Sequence, residues 1–179
     1  MWRIIGISAE DIVCNEHKKI EQYLERGIDF FHIRKPNFSL KEMKDYIEKF
    51  SPNIRKRLTI HYYIELCLEY SLGGVHFNEK NISLNDFRFN GVRKSYSAHK
   101  EQEVEKYYKE MDYIFLSPIY DSISKQGYKS KFSFEKLRKM ELENKKVIAL
   151  GGVKKDKFEE LKALGFSGCA LKGELWNKE

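Results

Sequence analysis

The chain has 179 residues, 41% of them hydrophobic and 34% charged, with 11 Gly and 3 Pro. That length sets the expectation of one domain with a sizeable core, and no apolar run reaches the ~18 residues that a membrane helix needs. The net charge of +6 favours anionic partners, but Arg55-Lys56-Arg57, Lys145-Lys146 and Lys154-Lys155 are scattered among acids with no aromatic-laced stripe, which points to phosphorylated small molecules and not to nucleic acid or membrane.

At the N-terminus, Ile4-Ile5-Gly6-Ile7 is too short for a signal-peptide core. Acidic Glu10-Asp11 follows it, so a cytoplasmic location is expected. Cys14, Cys67 and Cys169 form no CxxC pair, which argues against a disulfide framework or a cysteine zinc site. Short apolar runs predict strands from Trp2 to Ser8, Ile28 to Arg34, Leu58 to Tyr62, Gly74 to Phe77, Lys94 to His99, Asp112 to Ser117, Lys146 to Gly151 and Ser167 to Lys172. Amphipathic segments between them predict helices from Glu16 to Arg26, Leu40 to Phe50, Tyr63 to Tyr70, Glu101 to Glu110 and Lys155 to Leu164. Gly27 and Gly165 are placed as C-caps, and Ser39 with Glu42 as a capping box.

Eight strands alternating with helices predict an α/β fold, the (β/α)₈ TIM barrel, and no GxGxxG follows the first strand to favour a dinucleotide fold. The chain is short for such a barrel. Glu79 to Asn90 holds one helical turn at most, and the final helix is expected to be missing, which points to a homodimer contact or a truncated chain.

In a parallel barrel the strand ends form the site. His32 and Arg34 end the second strand, His61 the third, His76 the fourth, and Ser97 with His99 the fifth. Four of the five histidines therefore fall on one predicted rim, a polar pocket. Alternation turns Arg34 inward with His32, although Arg34-Lys35 also reads as a solvated surface pair. Imidazoles suit zinc, but no HxH or HExxH spacing supports a metal. Gly151-Gly152 and Gly173 follow the seventh and eighth strands, a frequent phosphate site of such barrels. The stretch from Asp112 to Gly127 carries a buried strand into a polar loop.

These strand ends resemble the thiamine phosphate synthase and thiazole tautomerase (TenI) superfamily of TIM barrels over nearly the whole chain. His32-Ile33-Arg34 resembles its Q/H-x-R strand end, Gly74-Val75-His76 its G-V-H turn and Ser97-Ala98-His99 its S-x-H. Ser117-Pro118-Ile119-Tyr120 with Ser122, Ser124 and Lys125 resembles G-P-I-F-x-T-x-T-K, and Ala149-Leu150-Gly151-Gly152-Val153 resembles A-I-G-G-I.

The resemblance implies one such domain over residues 1–179, in thiamine biosynthesis. Its synthase branch joins hydroxymethylpyrimidine diphosphate to thiazole phosphate and releases pyrophosphate. It implies Lys125, Arg34, Ser97 and His99 as catalytic, with His32, His61, His76, Ser122, Ser124, Gly151, Gly152 and Gly173 binding substrate. Magnesium is the cofactor implied, but the family's two metal-binding aspartates are replaced by Tyr62 and Asn81, leaving Glu79 as a compensating carboxylate. The second-strand lysine is replaced by Pro36, with Lys35 adjacent. The metal-free tautomerase branch would use His99 or His61 as base, yet it has His where this chain has Pro118. A third expectation is a non-catalytic barrel that binds phosphorylated thiamine precursors.

Overall fold

Short stretches rich in Ile, Val, Leu, Phe and Tyr bury both faces when helices flank a parallel sheet, and each of the eight predicted runs forms a strand. The computed structural model describes residues 1–121, 130 and 132–176. Strands β1 (Arg3–Ile7), β2 (Phe30–Ile33), β3 (Leu58–Ile60), β4 (Gly74–Phe77), β5 (Arg93–Ala98), β6 (Tyr113–Leu116), β7 (Val147–Ala149) and β8 (Gly168–Leu171) form a closed barrel in sequence order. The helices are α1 (Glu16–Glu25), α2 (Leu40–Ile47), α3 (Pro52–Arg55), α4 (Leu66–Glu69), α5 (Glu101–Tyr107), α6 (Phe134–Lys139), α7 (Phe158–Ala163) and α8 (Gly173–Trp176). Among the described residues no helix is long and apolar enough to cross a membrane.

The expected helices are shorter than their apolar periodicity suggested. Tyr63 adopts a left-handed φ of 53°, so α4 begins only at Leu66. The segment from Glu79 to Asn90 holds two 3₁₀ turns, Ile82–Leu84 and Phe87–Phe89. Two helices were not anticipated. Ser51 caps α3 by accepting from the Ile54 N–H, and Ser133 caps α6 from the Lys136 N–H. After β8 comes the single turn α8 in place of a full outer helix. Gly27 and Gly165 follow α1 and α7 at φ of 101° and 86°, the left-handed geometry that ends a helix.

The chain divides into two compact units, residues 6–94 and residues 1–5 with 95–179. In the first, β2, β3 and β4 run parallel in the register Phe31 to Leu58 and Ile60 to Val75, and Phe31, Ile33, Leu58, Ile60 and Val75 are fully buried. The predicted capping box starts α2: Ser39 Oγ accepts from the Glu42 N–H, and Glu42 Oε2 accepts from the Ser39 N–H at 2.8 Å. In the second unit β5 to β8 run parallel around buried Tyr113, Phe115, Ile148 and Cys169. The Arg3 N–H donates to Ser167 O at 3.0 Å.

The first unit also buries an ion pair. Alternation at the end of β2 sends Lys35 to the face opposite His32, where its Nζ lies 2.6 Å from Glu16 Oε2, with side-chain exposures of 0% and 2%. Lys35 is therefore not part of a solvated pair. Glu16 opens α1 and also accepts from the Ala9 N–H at 2.9 Å and from the Tyr46 hydroxyl at 2.8 Å. Lys35 donates in addition to Asp11 O at 2.8 Å and lies over the rings of Phe38 and Tyr46. This network ties the segment after β1 to α1, β2 and α2.

Removing one partner of a buried pair leaves the other charge uncompensated. Glu16→Gln should cost about 3–5 kcal/mol in urea unfolding, and adding Lys35→Met should recover a large part of that loss. Equal stability of wild type and Glu16→Gln would show that the pair is not holding this unit.

Candidate active site

The ends of β2, β3 and β4 bring three histidines together. Ile60 pairs with Val75, so His61, one residue further on, stands level with His76. Their rings stack with centroids 4.0 Å apart and 25° between planes. His32, in register with Thr59, meets both edge-on at 5.1 and 5.2 Å, and its Nδ1 lies 2.9 Å from His61 Nε2. His32 and His76 are buried and His61 is half-buried.

Burial disfavours the imidazolium form of all three. Desolvation, with the Arg34 charge adding to it, lowers the His76 pKa to about 3. Desolvation also drives His32 well below its ordinary 6.5, followed by the influence of His76 and Arg93. His61 falls likewise through desolvation, His76, His32 and Arg34. The cluster is thus uncharged at neutral pH. Neutral rings also satisfy the short contact between His32 and His61, which needs one N–H donor and one bare nitrogen acceptor.

Arg34 sits on the same side of β2 as His32, with its side chain one-third exposed and its Nη1 2.6 Å from Glu10 Oε1. Ser8 locks the backbone here, its Oγ accepting from the Arg34 N–H at 2.8 Å and donating to Arg34 O at 3.3 Å. Glu10 and Ser8 escaped the sequence reading. The only available signal was an acidic pair directly after the first strand, next to the strand that carries Arg34.

The positions that would hold magnesium do not fit that ion. Asn81 Oδ1 accepts from the Asn78 N–H at 2.7 Å and its Nδ2 donates to His76 O at 3.5 Å, so the side chain ties down the loop after β4. Glu79 is exposed. Among the described residues, the group placed to share a metal is His32, His61 and His76, three nitrogen donors where magnesium demands oxygen. Lys35 does not replace the lysine lost at Pro36, since it is held by Glu16.

In the unit of residues 1–5 and 95–179, Ser97 lies near the end of β5, paired with Phe115. His99 is exposed just beyond it. Glu103 Oε2 accepts from the His99 and Lys100 N–H groups and fixes the entry to α5. His99 Nδ1 lies 3.1 Å from Ser117 O and 3.3 Å from Ser117 Oγ. A carbonyl only accepts, so the contact with Ser117 O is a hydrogen bond in the tautomer with the proton on Nδ1, whereas the Ser117 hydroxyl can meet Nδ1 in either tautomer. The Ser117–Pro118 peptide is cis.

Gly151 and Gly152 have φ of 92° and 66°. A Cβ on Gly152 would come within 2.3 Å of Asp121 O, so these glycines let the turn after β7 pack on the segment after β6. Gly173 begins α8. Ser122, Ser124 and Lys125 lie outside the described residues.

The depressed histidine pKa values set a pH dependence. Below pH 6.5 the unfolded chain protonates these rings while the folded chain does not, so stability falls with pH from about 6.5 down toward the folded values. Each histidine steepens that fall by up to about 1.4 kcal/mol per pH unit. Urea midpoints taken between about pH 7 and pH 5 should drop, and less so in His61→Gln; identical slopes would contradict a neutral cluster.

Three comparisons bear on this arrangement. The thiamine-phosphate synthase of Lactococcus lactis subsp. cremoris strain SK11 is 25% identical over 165 residues, covering 86% of this chain and 76% of the relative. The crystal structure of thiamine phosphate pyrophosphorylase from Bacteroides thetaiotaomicron superposes with a TM-score of 0.83 at 30% identity, covering all of this chain and 86% of that one. A thiamine phosphate pyrophosphorylase from Pyrococcus furiosus shares the fold, with a TM-score of 0.77 at 18% identity over 96% of this chain and 85% of that one. The family model described as thiamine monophosphate synthase matches residues 4–175, and the chain belongs to that TMP-TENI family.

Proposed function

We propose that this chain is a thiamine phosphate synthase-like transferase of thiamine biosynthesis, with residues 1–179 acting as one catalytic domain. It would join hydroxymethylpyrimidine diphosphate to thiazole phosphate and release pyrophosphate. The observation that carries this reading is the polar rim at the end of β2: Arg34, one-third exposed and with five N–H donors of which Nη1 meets Glu10, stands beside three uncharged imidazoles, a setting that can take an anionic ligand. Membership of the family and the likeness to the Bacteroides pyrophosphorylase support the same chemistry.

In that reaction the bond from the pyrimidine methylene to the diphosphate oxygen breaks, and the electron pair leaves with pyrophosphate. The thiazole nitrogen then donates its lone pair to the methylene cation. Negative charge grows on the leaving group, so catalysis rests on placing cations and N–H donors against it and on aligning the two rings. Arg34, Lys125 and Ser97 are assigned to the pyrophosphate. Ser122, Ser124, Gly151, Gly152 and Gly173 are assigned to the thiazole phosphate, and His32, His61 and His76 to the substrate rings. Since the donors at Tyr62 and Asn81 do not suit magnesium, the side-chain cations carry the neutralisation.

One observation favours a second reading, a TenI-like thiazole tautomerase. His99 is exposed, and in the tautomer whose Nδ1 donates to Ser117 O its Nε2 is left facing outward to exchange a proton with a ligand.

Purified protein given both phosphorylated substrates should release pyrophosphate, and Arg34→Ala should lower kcat about 100-fold. No pyrophosphate at any magnesium concentration would overturn the synthase reading. Under the second reading the protein should isomerise a thiazole carboxylate phosphate without added metal, and His99→Ala should abolish this; full activity in that variant would exclude it.

A further inference from the structure

The geometry points to a transition-metal site made by His32, His61 and His76, taking a borderline divalent ion such as zinc, cobalt or nickel with an anionic oxygen as its fourth ligand. One ring nitrogen from each histidine lies within 4.8 Å of the other two. A tetrahedral ion with bonds of 2.0–2.1 Å needs its nitrogens about 3.3 Å apart. The 2.9 Å contact between His32 Nδ1 and His61 Nε2 must therefore open slightly, and any separation near the 4.8 Å limit must close by about 1.5 Å through rotation of the imidazole side chains.

The three residues come from the ends of three neighbouring strands, so the backbone spacing is set by the sheet. Two of them are buried, and imidazole in its uncharged form is a ligand for zinc, copper, iron and nickel but a poor one for magnesium.

Charge decides the fourth ligand. Three neutral donors leave the ion with its full double charge, and Arg34 alongside is already offset by Glu10. Hydroxide, a carboxylate or a phosphate oxygen is then preferred over a neutral ligand. This site stands apart from the question of which reaction the chain catalyses, because it concerns only what the three imidazoles bind.

The test uses the full-length protein with any affinity tag removed, stripped by chelator and titrated with Co²⁺ alone. One ion per chain should bind with the visible ligand-field bands of a four-coordinate site, Zn²⁺ should displace it, and a large excess of Mg²⁺ should not. His61→Gln, chosen because its side chain is half-buried, should weaken Co²⁺ binding about 100-fold or more while circular dichroism stays native. X-ray absorption of the zinc-loaded wild type should show three imidazoles at about 2.0 Å, independent of how any variant folds. The proposal is overturned if no ion is retained, or if Mg²⁺ displaces cobalt. It is also overturned if the zinc shell lacks imidazole scattering, or if binding survives in His61→Gln and is lost in His17→Ala, His99→Ala or Cys14→Ser.

Discussion

Much of the unit from residue 6 to 94 depends on the buried contact between Glu16 and Lys35. Two opposite charges have left water together, and each has further partners: Tyr46 and the Ala9 amide for the carboxylate, Asp11 O for the ammonium. Such a pair is poor at adding net stability but strict about geometry, since any shift strands a charge in a medium that cannot solvate it. It brackets the segment that carries Glu10 and so keeps that carboxylate opposite Arg34. Pleat alternation then divides the labour at the end of β2. His32 and Arg34 take one face, and Ile33 and Lys35 take the other.

The histidine cluster gives the ends of β2 to β4 a distinct character. Carboxylates at strand ends make a hard, anionic site that draws magnesium and, through it, phosphates. Neutral imidazoles beside a guanidinium that Glu10 offsets make a softer, less anionic site.

The barrel itself was legible in the sequence because eight short apolar runs recur with amphipathic segments between them, and burial on both faces leaves few other structures for such runs. Helix lengths were less legible. Four-residue α3 and six-residue α6 are too short to show a 3.6-residue period, and their start signals were the capping serines, with Pro52 at the first position of α3. At the site, the convergence of His32, His61 and His76 followed from strand-end position alone. That these rings touch depended on register, Ile60 against Val75, which no single strand encodes. Lys35 shows the reverse: a lysine beside a strand-end arginine suggests a solvated pair, and only the packing of α1 and α2 reveals that it is buried.

The close packing at Gly152 changes how genetic data from this region should be interpreted. Any side chain there would collide with Asp121 O, and the backbone already holds a left-handed conformation. An inactive Gly152 allele would therefore also report on the seating of Tyr120 and Asp121. The identity of that residue records a steric requirement of the scaffold as much as any appetite for phosphate.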